Sequence, residues 1–196
     1  MALRENLLAE LERRRGEDVS GQALAERFGV TRSAVWKAVN ALRAEGYAIL
    51  STPNRGYRLR AEDDHLSEVG VRAALGSAHN ALPVRVYRTL DSTNQEAQRL
   101  LAAGEGCPLL ILSEEQTAGR GRLGRSWVNA EGKALYYTVA IKEPLAQPAT
   151  LPLLASLAVR RQLALRYGVD CQIKWPNDLL LNGKKIVGIL CESVSY

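Results

Sequence analysis

Histidine and cysteine are scarce in this chain of 196 residues, which has two of the first and three of the second. Cys107, Cys171 and Cys191 are too far apart for a CxxC pair or a small disulfide framework, and they read as reduced thiols of a cytoplasmic protein. His65 and His79 both fall in polar, exposed segments, which argues against a histidine-based metal centre or catalytic triad. Long hydrophobic runs are missing too. No apolar stretch reaches the roughly 18 residues that span a bilayer, so no membrane partner is expected. The start, Met1-Ala2-Leu3-Arg4-Glu5, carries an early acid and no apolar h-region, and is not expected to be a secretory signal. Two common nucleotide-binding loops are also absent. No glycine loop ends in Lys-Ser/Thr as a P-loop does, and the glycines do not match the dinucleotide fingerprint. What remains is an ordinary globular composition, 46% hydrophobic and 24% charged, long enough for one or two domains.

What the chain does have is a glycine–arginine loop, Gly119-Arg120-Gly121-Arg122-Leu123-Gly124-Arg125. Glycine lets a backbone approach a ligand closely. Arginine presents a rigid fork of donors matched to phosphate. The loop therefore suits closure over a polyanion such as ATP, although a mobile basic surface loop has the same composition. Some fifty residues later comes Lys174-Trp175-Pro176-Asn177-Asp178. Lys174 stands between apolar Ile173 and Trp175, where a buried cation is costly unless it meets an anion. A ligand phosphate or carboxylate would supply one. An edge-strand lysine snorkelling to water fits the same pattern.

Charge is uneven. Residues 1–60 hold eleven Lys/Arg against seven Asp/Glu, which is +4 of the net +5. Such a bias hints at nucleic acid. Leu3, Leu7, Leu8 and Leu11 predict an amphipathic helix over 2–15. Ser20 is placed to cap a helix over 21–28, and Gly29-Val30 to turn the chain. Thr31 caps a third helix running to about 45. Ala25, Val30, Val35, Val39 and Leu42 form the buried face. The pattern is a helix-turn-helix, and its third helix exposes Arg32, Ser33, Trp36, Lys37 and Asn40. A hairpin follows, with strands near 47–51 and 57–59 and Arg55 at its tip. Helices plus hairpin make a winged helix. The basic helix and wing tip favour DNA over a module used only for protein contacts, with Arg32, Ser33, Lys37, Asn40 and Arg55 as the DNA-binding candidates. Trp36 fits either a core or an exposed position.

Residues 61–67 read as a polar linker, so the expected domains are 1–60 and 68–196. The second has helices at 66–75, 93–103 and 151–167. Its strands lie near 84–88, 109–115, 133–142, 173–175, 179–181 and 185–192, with Asn182-Gly183 as a hairpin turn. Helices are too few for a doubly wound parallel sheet, so the fold is α+β with a mixed, largely antiparallel sheet. Asp91-Ser92-Thr93-Asn94 sits at a strand-to-helix turn, suited either to capping the helix or to hydrogen-bonding a small polar head group. Gln116 lies at the edge of the glycine loop.

Together these segments resemble the biotin–protein ligases. The resemblance is carried by Leu90-Asp91-Ser92-Thr93-Asn94, by Gln116 ahead of Gly119–Trp127, and by Lys174-Trp175-Pro176-Asn177-Asp178 with Gly188-Ile189-Leu190. The winged helix, including Gly56-Tyr57, resembles the bifunctional members that also repress the biotin operon. The resemblance implies a class II synthetase-like catalytic domain that makes biotinyl-5′-adenylate from biotin and ATP with Mg²⁺. It then passes biotin to a lysine of the biotin carboxyl carrier protein of acetyl-CoA carboxylase. It implies that Ser92, Thr93, Asn94 and Gln116 bind biotin, and that Arg120, Gly121 and Arg122 order over biotin and adenylate. Lys174 then serves the biotin carboxylate and α-phosphate, and Arg122 and Arg125 serve ATP. Lys174, Arg120 and Arg122 are the expected catalytic residues. Magnesium is expected to ride on phosphates and water, without a dedicated carboxylate site. Operator DNA and a ligand-linked homodimer, joined through the sheet edge near 185–192, are the other expected partners. The family continues with a glycine-rich Gly-x-Asn-type segment and, in bifunctional members, a small β-barrel. This chain ends at Tyr196, so its ligase domain is expected to be incomplete at that end. A catalytically impaired DNA-binding biotin sensor and a lipoyl-ligase-like enzyme are the alternatives.

Overall fold

A computed structural model of the chain describes residues 3–79, 81–127, 132–142 and 147–193. Packing divides it into two units, Met1–Val86 and Tyr87–Tyr196.

The first unit is the winged helix. Helices α1 (Leu3–Arg13), α2 (Gly21–Phe28) and α3 (Arg32–Ala44) precede β1 (Ile49–Thr52) and β2 (Gly56–Leu59), an antiparallel pair in which Ile49 faces Leu59. The caps act where the sequence places them. Ser20 Oγ accepts from Ala23 N at 3.4 Å and Thr31 Oγ1 from Ala34 N at 3.2 Å. Gly29, at φ 64°, ends α2 in the left-handed region that glycine enters without strain. Leu7, Leu11, Leu24, Val35, Val39, Leu42 and Leu59 share one dry cluster. Each such side chain contributes about 1.5–3 kcal/mol of transfer free energy. The wing is pinned from behind, since Val19 and Tyr57 exchange both backbone hydrogen bonds, at 2.8 and 2.9 Å. Gly56, at φ 103°, makes this possible, because a Cβ there would press on the Val19 carbonyl and lie 2.8 Å from Ser20 Cα. Val30, expected in the core, is only half-buried because it sits at the rim of the turn.

Helix α4 (Glu68–Leu75), capped by Ser67, packs on α1 within this same unit. The segment ahead of α4 is fastened down. Ala48 N donates to Asp63 Oδ2 at 2.5 Å, Arg15 donates to the Asp63 carbonyl, and the His65 ring lies 4.2 Å from that of Tyr47. His65 is therefore half-buried rather than exposed, as its polar neighbours had suggested.

The second unit has two three-stranded sheets. One has the order β3 (Val84–Leu90), β4 (Leu109–Gln116), β5 (Tyr136–Ala140), and β4 and β5 are antiparallel. Helix α5 (Thr93–Ala102) covers one face, meeting Leu109 and Ile111 through Ala97. The other sheet, β6 (Gln172–Lys174), β7 (Asp178–Leu181) and β8 (Lys184–Gly188), is antiparallel throughout and follows the long α6 (Leu151–Tyr167). Asn182 and Gly183, both at positive φ, turn β7 into β8 as the Asn-Gly pair predicts.

Three strand boundaries differ from expectation. The strand predicted at 133–142 is limited to Tyr136–Ala140, where it has β4 to pair with, and Leu135 and Ile141 are exposed beside it. The strand predicted at 185–192 ends at Gly188: Ile189 N still bonds in register to the Asn177 carbonyl, but the Ile189 carbonyl is taken by the Asn177 side-chain amide at 3.0 Å. Trp175 leaves β6 for a turn and is 76% exposed.

Candidate active site and nucleic-acid interface

The turn from β3 into α5 brings four polar residues together. Ser92 heads α5 but makes no side-chain capping bond, so capping is not its role, and it is buried together with Thr93. Gln116, at the end of β4, takes two bonds on its Oε1, from Thr93 N at 2.7 Å and Thr93 Oγ1 at 3.0 Å. Its amide nitrogen is thereby turned toward Gly119, where a Cβ would come within 2.9 Å. Thr138 of β5 joins from the other side, lying 2.9 Å from Thr93 Oγ1 and 2.5 Å from Asn94 Oδ1. Asn94 Nδ2 donates to Glu192 at 2.7 Å. The result is a floor of oriented hydroxyls and amides, fixed before any ligand arrives.

Asp91 anchors this turn. It receives Arg99 through both oxygens, at 2.7 and 2.9 Å, and Ser92 N at 2.7 Å. The Arg99 guanidinium, helped by the Ser92 amide, holds the Asp91 carboxyl down at about 2.

The glycine–arginine loop rises from that floor. Thr117 N and Ala118 N bond to the carbonyls of Leu90 and Asp91, so the loop's root is tied to the end of β3. It then folds back on itself. Gly121 N donates to the Arg125 carbonyl at 2.7 Å and Trp127 N to the Gly119 carbonyl at 2.9 Å. Leu123 sits at the tip, 90% exposed. With its amide oriented to satisfy both neighbours, Gln95 accepts from Arg120 and donates to Asp91 Oδ2 at 2.7 Å. Arg122 donates to Asn177 Oδ1 at 3.3 Å, and Arg125 is exposed.

The loop's far end rests on the second sheet. The Trp127 ring covers Gly188, where a Cβ would meet Cζ3 at 2.5 Å. Lys185 Nζ lies 4.7 Å over that ring and 2.7 Å from Asp178. Lys185 is exposed, and so is Lys174. Lys174 lies on the edge strand β6, paired by backbone register with Asp178, so it is not the buried-strand cation that its neighbours suggested. Lys185 was not among the residues singled out from the sequence. Its signal was its place on the return strand of the Asn-Gly hairpin, which brings it back beside Asp178. Thr138 and Glu192 carried no local signal.

In the first unit, Arg32, Ser33 and Lys37 are exposed on one side of α3, and Trp36 beside them is 54% exposed, which removes it from the core. Asn40 is half-buried and accepts from Arg43 at 3.3 Å. Arg55 is exposed at the wing tip, 3.8 Å from Asp18. Asp18 is held below the usual carboxylate range by Arg58, which donates to it twice, at 2.5 and 2.9 Å.

A winged helix-turn-helix ahead of an α+β unit with a polar floor under a glycine–arginine loop defines a ligase-type fold joined to a DNA-binding-type module. The family model described as "Biotin/lipoate A/B protein ligase family" matches residues 86–196, and one described as "HTH domain" matches residues 3–58. The chain belongs to the biotin/lipoate A/B protein ligase family. It is 36% identical over 192 residues to the bifunctional ligase/repressor BirA of Bacillus subtilis, covering 97% of this chain and 59% of that protein. It is 34% identical to BirA of Escherichia coli K12, covering 90% and 54%. The chain thus spans under two thirds of the length of these relatives. Among solved structures it is similar to the biotin protein ligase from Leishmania major in complex with biotinyl-5-AMP. That match has a TM-score of 0.52 at 32% identity and covers 57% of this chain and 52% of that one.

Proposed function

We propose that this chain is an ATP-dependent biotin–protein ligase that also represses transcription. In this reading residues 1–60 bind operator DNA, α4 and the segment ahead of it belong to that same unit, and the second unit, Tyr87–Tyr196, carries the ligase chemistry. The observation that carries the reading is the Thr93–Gln116–Thr138–Asn94 floor at the root of the glycine–arginine loop. A flat polar head group such as a ureido ring needs donors and acceptors held in fixed directions, and this floor offers them beside a cationic loop.

The chemistry asks mainly for positioning and charge neutralisation. A carboxylate is a poor acyl donor. A biotin carboxylate oxygen attacks the α-phosphorus of ATP, the bond to the bridging oxygen breaks, and pyrophosphate leaves. The lysine amine of the biotin carboxyl carrier protein then attacks the acyl carbon of biotinyl-5′-AMP. The amide forms, AMP leaves, and the amine proton passes to solvent. No protein nucleophile is required. Ser92, Thr93, Asn94 and Gln116 hold the head group. Arg120, Gly121 and Arg122 close over biotin and adenylate, and Arg122 and Arg125 neutralise phosphate. Two lysines compete for the carboxylate and α-phosphate. Lys174 has the motif in its favour, and Lys185 has its contact with Trp127 at the loop's end. Lys174 keeps the role, and Lys185, equally exposed and already paired with Asp178, is the second candidate. Among the described residues no three His, Cys, Asp or Glu side chains converge as a metal site. Magnesium would accompany ATP, held mainly by phosphates and water.

In the first unit Arg32, Ser33, Lys37 and Asn40 face the major groove and Arg55 the backbone beside it. One winged helix makes a small interface, so a two-fold dimer on a palindrome is expected, formed when ligand is bound. Strand β8, bonded on one side to β7, offers an edge for it. Among the described residues no helix is long and apolar enough to cross a membrane. A cytoplasmic location fits the substrates.

The deciding assay is pyrophosphate release by this chain with biotin, ATP and Mg²⁺. Release that requires both biotin and ATP supports the ligase. Biotin binding without release would make the protein a DNA-binding biotin sensor. Release with lipoate but not biotin would move it to the lipoyl branch.

A further inference from the structure

Arg43, in the last turn of α3, makes three bonds from one half-buried guanidinium. Its Nε donates to the Ile49 carbonyl at 2.8 Å and its Nη2 to Ser51 Oγ at 2.7 Å, both on β1. Its Nη1 donates to Asn40 Oδ1 at 3.3 Å, one turn back on α3. We infer that Arg43 is the positioning residue that sets the recognition helix against the wing, and that it thereby governs how sharply the protein separates its target duplex from other DNA. The inference rests on the DNA-binding reading of the first unit.

The other polar ties of the wing run elsewhere. Strand β2 is held by Arg58 on Asp18 and by Val19 on Tyr57, both reaching the segment ahead of α2. Those bonds fix the wing to the body of the module without touching α3. The Arg43 fork reaches both elements at once. It also orients the Asn40 amide. With Oδ1 engaged by Arg43, the Nδ2 donors of Asn40 are the atoms left to meet acceptors on a base edge. Lysine cannot replace this arrangement, because an ammonium has no planar fork to span two elements. Arg43 is engaged inside the module, so it is not a phosphate contact. Its loss should blur sequence discrimination and leave non-specific, salt-dependent binding intact.

The test uses the full chain. A randomised duplex library is first selected for binding, and the enriched duplex and a shuffled version of it are then titrated by fluorescence anisotropy over a range of salt. Arg43→Lys and Arg43→Ala should lower the ratio of enriched to shuffled affinity by about tenfold or more, since small misplacement of a reading group is costly. Ser51→Ala, which removes one arm, should lower it only about two- to threefold, because the Arg43 Nε bond to the Ile49 carbonyl still ties α3 to β1. Shuffled-duplex affinity and the salt slope should not change. Thermal melts check folding, and should Arg43→Ala unfold early, Arg43→Lys and Ser51→Ala carry the result. An Arg43→Lys variant with parental discrimination overturns the inference, and so does a salt slope reduced by about one ion, which would make Arg43 a phosphate ligand. A parent that enriches no sequence overturns the DNA-binding reading and the inference with it.

Discussion

In the winged unit Leu7, Leu11, Val35, Val39, Leu42 and Leu59 close into one cluster, shielded from water. In the ligase unit Leu154, Leu157, Leu165 and Tyr167 of α6, and Tyr137 and Val139 of β5, are exposed. The ligase unit's order around its site comes from polar links instead: Asp91 with Arg99, Thr93 with Gln116, Arg122 with Asn177, Lys185 with Asp178. Apolar burial is non-directional and gives the first unit stability. Hydrogen bonds and ion pairs add little net free energy each but fix directions. The first kind of order makes a rigid module, and the second fixes the directions of the polar groups around the glycine–arginine loop.

The contrast breaks most visibly at Lys174. Lys174→Ala should slow biotin-dependent pyrophosphate release by about a thousandfold, roughly 4 kcal/mol of transition-state stabilisation, with a stability change within about 1 kcal/mol. Lys185→Ala should cost far less. Equal losses, or a larger one at Lys185, would move the role to the hairpin lysine. The opposite pattern is expected at Leu42, which is buried in the winged cluster. Leu42→Ala should cost about 2–5 kcal/mol of stability and abolish DNA binding while leaving pyrophosphate release intact. A chemical melt followed alongside both assays decides it, and parallel loss of both activities would mean that the units do not act separately.

A smaller effect is expected where the loop rests on the second sheet. Gly188→Ala would force the Trp127 ring off its seat, and adenylate formation should fall about tenfold, near 1.4 kcal/mol. Unchanged rates would free the loop from Trp127. The smallest effect belongs to Asp91. Its carboxyl is lowered from an ordinary 3.8 to about 2, mainly by Arg99. A carboxyl depressed in the folded state stabilises the protein above the unfolded value, and that contribution is lost as pH falls from about 4 through 2. The pair is solvent-screened, so the contribution is within about 1 kcal/mol. Melts of the parent and Asp91→Asn should converge near pH 2 and separate above pH 4. A constant gap would assign Asp91 no part in the acid response.

Local order was legible in the sequence and non-local order was not. Ser20, Thr31 and Gly29 act within one helical turn of their own positions, so their caps followed from spacing. The Leu/Val periodicity named Leu7, Val35, Val39 and Leu42 as core for the same reason, and Asn182-Gly183 encodes its own turn. The motif residues Ser92, Thr93, Asn94 and Gln116 were found as separate segments, and their hydrogen bonding emerged only when β3 and β4 came side by side. What the sequence by itself determined was therefore the winged helix, the α+β character of the second unit, and the separate segments that hold Ser92–Asn94, Gln116 and the glycine–arginine loop. Tertiary structure decided the rest. It buried half of His65 against Tyr47, ended β8 at Gly188, left Lys174 in water, and brought Lys185 to Trp127 and Arg43 to the wing. Each of these depends on partners far apart in the chain, and the free energy of such contacts appears only once the backbone has closed the loop between them.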